Sequence, residues 1–253
     1  MQLKELKLFD RLCWAKDNLE PYQSDYRVVF ETNVDAPASV LVPDPNWMAC
    51  AMSGGILDAD ESSTVSGALT QSADITIDVA NNKTLTYSGS AISVGANTIT
   101  LSGGGTLVSG GLDLNNANSK LLLNSITVDN VSTTADNSLG VDVDNDSTIT
   151  SLSVANITPV SIASGKTLSG AITVTAGSIK LAETGTLASS ISMSGGTTLD
   201  ADNSLTVSGT LTQSGDITLD VVTNKTLTYT GTAISLGANT LTLIGGGTLS
   251  NTN

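Results

Sequence analysis

One stretch of this chain is written twice. Residues 57–109 and 199–251 are identical at 39 of 53 positions, at a fixed offset of 142 residues. Most differences swap like for like: Ile77 answers Leu219, Val94 answers Leu236 and Ser88 answers Thr230. A shorter period lies beneath the long one. A polar turn, then Thr or Ser, then an apolar residue recurs at Val65, Leu85, Leu107, Ile149, Leu168, Leu187, Val207, Leu227 and Leu249, with Val128 in the one double-length gap. The steps are 19 to 22 residues, so about ten units follow one another and seven of them make the long repeat.

A unit of this length buries almost nothing alone, so its neighbours must supply the core. Within a unit, apolar and polar residues alternate: Ile217, Leu219 and Val221 fall on one side of "DITLDV". Period two means short strands with one buried face. If each strand pairs in parallel with its equivalent one unit on, inward aliphatics stack on inward aliphatics, and like-for-like exchange follows. Asn82, Gly165, Gly185 and Asn224 fall where the chain must bend, in a left-handed conformation. Gly103–Gly105 and Gly245–Gly247 are expected to form sharp corners, and stacked Asn side chains to bond along the axis. The expected fold is mainly β: a parallel β-helix or solenoid of about ten rungs, right-handed as β-crossovers nearly always are. An all-β sandwich array fits the period less well.

Composition changes near Gly54. Residues 1–55 hold both Trp, both Cys, both Phe and four of the five Pro. They are expected to form a small α+β anchoring or capping domain, with residues 56–253 as the solenoid shaft. Leu3, Leu6, Phe9 and Cys13 recur at helical spacing, "YRVVFET" and "SVLV" suggest strands, and "PDPNW" suggests a turn. Phe9, Trp14 and Trp47 serve either a small core or a docking surface, since large amphipathic aromatics suit both. Cys13 and Cys50 set no disulfide framework.

The net charge of −14 repels phosphate backbones, so nucleic acid is not an expected partner. There is no histidine, which removes the usual proton shuttle near neutral pH. No apolar run approaches a membrane span, and the charged start does not have the pattern of a Sec signal.

The pattern of rungs over residues 57–253 resembles the repeat regions of phage tail fibres and tailspikes and of bacterial autotransporter-type adhesins. The resemblance implies a structural virion fibre protein with no enzymatic role. Residues 1–55 would attach to other virion or filament subunits, the shaft would project, and a distal tip beyond this sequence would meet the host surface. Such fibres are homo-oligomers, commonly trimers, and the implied location is the virion. The alternative is a bacterial surface adhesin or extracellular filament subunit. A tailspike polysaccharide hydrolase is the third reading.

Three features bear on chemistry. Asp142, Asp144 and Asp146 alternate like the start of a calcium loop, but the sixth position is Ser147 rather than Gly and the twelfth is Ser153 rather than Glu. They read either as a weak surface Ca2+ site or as a solvated acidic turn. "LDAD" occurs at Asp58/Asp60 and again at Asp200/Asp202. Paired carboxylates hydrolyse glycosides, but a pair copied with the repeat is more simply part of a rung. Tyr87 and Tyr229 are either packed strand positions or a ligand platform. No catalytic residue and no resident cofactor is assigned.

Overall fold

The computed structural model describes Ser39–Leu41, Trp47–Met52 and residues 54–251. The expected N-terminal helix and the "YRVVFET" strand, with Phe9 and Trp14, lie outside the described residues. Within them the chain is a parallel β-solenoid of about nine turns and contains no helix. Two sheets run its length, one narrow with 11 strands and one wide with 15. Each coil crosses the narrow sheet, turns a corner and crosses the wide one. Narrow-sheet strands open at Gly55, Ile75, Thr98, Lys120, Gly140, Thr158, Ser178, Thr198 and Ile217, and Leu241 starts a further coil. "SVLV" does contain a strand, Ser39–Leu41, and it pairs with Gly55–Ala59. Trp47–Met52 pairs with Ser63–Gln71 in the same way, so both ladders run back past the change in composition at Gly54.

Alternation builds the core. Ile75–Val79, Thr98–Ser102 and Lys120–Asn124 each bury every second residue. Register then sets Ile77 beside Leu101 and Leu101 beside Leu123. Leu85, Leu107 and Val128 form the matching column on the wide sheet. These positions are almost wholly inaccessible to solvent. Fully burying one such side chain contributes about 1.5–3 kcal/mol, repeated on each rung.

The two copies of the repeat fold alike to the level of single hydrogen bonds. The Tyr87 hydroxyl accepts from the Leu69 N–H at 2.8 Å, and the Tyr229 hydroxyl from the Leu211 N–H at 3.1 Å. Asp74 accepts from the Thr98 N–H at 2.7 Å and Asp216 from the Thr240 N–H at 2.6 Å. The glycine triplets form the expected corners. A Cβ on Gly103 would lie 2.2 Å from the Val79 carbonyl oxygen, and one on Gly245 would lie 2.3 Å from that of Val221. Stacked amides appear where Asn145 donates to Asn124 across one rung at 2.6 Å.

Two expectations need correction. Asn82, Gly165 and Asn224 have φ of 60°, 74° and 64°, but Gly185 is not left-handed. Gly185 is required for space instead, because a Cβ there would meet the Ile162 side chain at 2.4 Å. The second correction is to register. Leu85 stacks on Ser63 rather than Val65, Leu168 on Ser147 rather than Ile149, and Leu227 on Leu205 rather than Val207. Each slip is of two residues, so every side chain keeps its face. Its cause is a tight turn inserted at the corner, closed by an N–H to carbonyl bond of 2.9 Å from Lys83 to Ala80, Lys166 to Ala163 and Lys225 to Val222. The left-handed Asn82, Gly165 and Asn224 sit third in these turns, as the type II pattern demands.

Candidate functional site

Among the described residues the interior is spent on packing, which leaves the outer faces of the solenoid as the place for a site. The narrow sheet is acidic at two repeat-equivalent places. Asp58 stands directly beside Asp78, and Asp200 beside Asp220. Burial first, then the neighbouring Asp60 and Asp78 carboxylates, raise the pKa of Asp58 above its ordinary range. Asp200 is raised by burial and by Asp202, against the opposing pull of Lys180. The Lys180 Nζ lies 3.4 Å from Asp200 and 3.5 Å from Asp202, and Asp200 is the first cause of the raised pKa of Lys180. These carboxylates bind protons more readily than free ones do. They stand on an open sheet face.

The calcium-like aspartates point to separate tasks. Asp142 pairs with the Lys120 Nζ at 2.8 Å on the narrow sheet. Asp146 sits at the corner and accepts the Thr167 N–H at 2.8 Å, while Asp144 is exposed. Among the described residues, no group of three or more His, Cys, Asp or Glu is placed to hold a metal ion. Asp146 also borders a shallow groove of about 360 Å³ with Ser125, Thr127, Ser147, Thr148 and Thr167. Two of its side chains are committed: Asp146 to the Thr167 N–H, and the Ser147 hydroxyl, which accepts the Ile126 N–H at 3.3 Å and donates to the Asn145 carbonyl at 2.9 Å.

Tyr87 and Tyr229 are 3% and 2% exposed. They are core residues whose hydroxyls fix a neighbouring rung, which removes the ligand-platform reading. Trp47 opens the Trp47–Met52 strand, beside Val65.

The alternation that turns aliphatics inward also turns Thr and Ser outward, where ladders along each face are expected, and the outer face of the wide sheet carries them. Hydroxyl side chains run there in files along the axis. Thr84, Thr106, Thr127, Thr148 and Ser169 are successive neighbours. So are Thr167, Thr186, Thr206, Thr228 and Ser250. A parallel strip pairs Ala171 with Ser190 and sets Thr173, Ser192 and Thr212 in line. The recurrent Thr before each landmark carries that signal, and strand pairing sets those side chains in line along the axis.

No family model matches the chain, and no curated protein or solved structure is significantly similar to it. Among the described residues, no helix is long and apolar enough to cross a membrane.

Proposed function

We propose that this chain is a non-catalytic structural protein whose solenoid is a stiff shaft, in the manner of a phage tail fibre or similar virion appendage. The observation that carries the reading is where its side chains are used. Inward residues pack on the next coil, and polar residues such as Asp74, Asp129, Asp146 and Asp216 accept backbone N–H groups one coil away. A rung that serves its neighbours resists bending, and length grows with rung number. At roughly 4.8 Å per parallel strand, nine turns make a shaft of about 45 Å. Residues 1–55, with their different composition, are suited to attachment, and lateral partners would be copies of the same chain.

Gold-labelled antibody against residues 56–253, applied to particles purified from lysed cells of the source organism, tests this reading. Label on a projecting appendage supports the fibre. Label confined to the surface of intact cells replaces it with the adhesin reading.

A further inference from the structure

We propose that the outer face of the wide sheet, from Ser147 onward, binds the surface of ice crystals. From residue 147 to residue 251 the charged residues are Lys166, Lys180, Glu183, Asp200, Asp202, Asp216, Asp220 and Lys225. All of them lie on narrow-sheet strands or in connections, and none on a strand of the wide sheet. Strand propensity favours Thr on both sheets, so it does not explain why outward positions on one sheet carry Lys180, Asp200 and Asp220 while those on the other carry no charge. A protein kept soluble by surface charge leaves this half of the wide-sheet face neutral, although Asp113 and Asp129 stand on its earlier strands.

That face is also regular. Thr167, Thr186, Thr206, Thr228 and Ser250 follow one another strand by strand, at about 4.8 Å along the axis, with alternate residues of one strand about 6.7 Å apart. Oxygen atoms on the prism faces of ice repeat at a similar distance along one direction, so the file of hydroxyls matches a row of them. Among the described residues, the side-chain hydroxyls of Thr167, Thr186, Thr206 and Thr228 make no hydrogen bond to the protein. Those of Ser102, Ser119 and Thr197 are bonded within it. Each Thr therefore offers water one free hydroxyl and one methyl, on a backbone clamped by strands on either side. Methyl groups order water around them, and the hydroxyls anchor that layer in a fixed lattice. A crystalline polysaccharide would need exposed rings for stacking, and Tyr87 and Tyr229 are buried. Ice needs neither rings nor charge.

The test uses the purified full chain, with ice-crystal shape followed under a nanolitre osmometer and crystal coarsening followed in a recrystallisation assay. The expected result is faceted crystals and arrested coarsening. The pair Thr186→Lys and Thr206→Lys should abolish both, while Asp200→Asn on the narrow sheet should leave both unchanged. Circular dichroism establishes that each variant is folded. If the Thr pair does not fold, Ser192→Lys with Thr212→Lys, at exposed positions of the same face, should give the same loss. Round crystals and normal coarsening with the unaltered chain overturn the proposal, and so does full activity in a folded wide-sheet variant. A shaft needs no ice binding, so failure here leaves the proposed function standing.

Discussion

At the scale of single residues, the repeat provides an internal control. Leu101 and Leu243 occupy the same position in the two copies. Leu101 is 0% exposed beneath the next coil, while Leu243 in the last described coil is 56% exposed. Replacing Leu101 by Ala should therefore cost about 2–5 kcal/mol, and the same change at Leu243 should cost no more than about 0.5 kcal/mol. Urea denaturation of the two variants measures the difference. The acidic ladder makes a second prediction. The folded chain holds the Asp58 proton more tightly than the unfolded chain does, because burial and the Asp60 and Asp78 carboxylates disfavour the charge. Stability from this group is present below the unfolded value of 3.8 and is lost as pH rises through the folded one. Asp58→Asn should thus raise the urea midpoint at pH 7, with the gain fading as pH falls to about 4. Asp200→Asn should gain less, because Lys180 loses one of its two partners.

At the scale of the strand and the coil, equivalent positions should be interchangeable. Ser178 pairs with Thr198 and Ile179 with Leu199, so deleting residues 178–197 joins the chain at matching points and removes one whole turn. The shortened protein should keep its β-sheet circular dichroism and unfold cooperatively. Deleting only Ile179 turns the rest of that strand inside out and should abolish cooperative unfolding. The same physics explains what could be read from the sequence. Alternation fixes which residues face inward, so the solenoid, the aliphatic columns and the glycine corners were legible. It does not fix which inward residue meets which. Landmarks aligned on the first apolar residue after a turn therefore slipped by two at Leu85, Leu168 and Leu227. The clue was a Lys-Thr pair preceded by Asn or Gly, present at Lys83, Lys166 and Lys225, each marking a corner lengthened by a tight turn. Ladders of outward Thr and Ser were legible from the same alternation, but not which sheet would keep them free of charge, because that depends on where each coil turns its corner. The aspartates of "VDVDND" looked like one cluster because spacing along the chain says nothing of the corner between Asp142 and Asp146.

At the scale of the whole molecule, the account rests on one geometric claim: distance along the axis grows in proportion to the number of coils between two residues. Ile56 and Ser161 are joined by five successive register pairings, through Thr76, Thr100, Leu122 and Asp142. Thr242 lies on the last described narrow-sheet strand, Leu241–Ile244. The most direct test is pulsed electron spin resonance on spin labels placed at these outward positions. The account predicts a separation of about 24 Å for Ile56 with Ser161, and of about 45 Å for Ile56 with Thr242. A distance from Ile56 to Thr242 no longer than that from Ile56 to Ser161 would mean that the two copies fold back on each other as separate modules, and would contradict it.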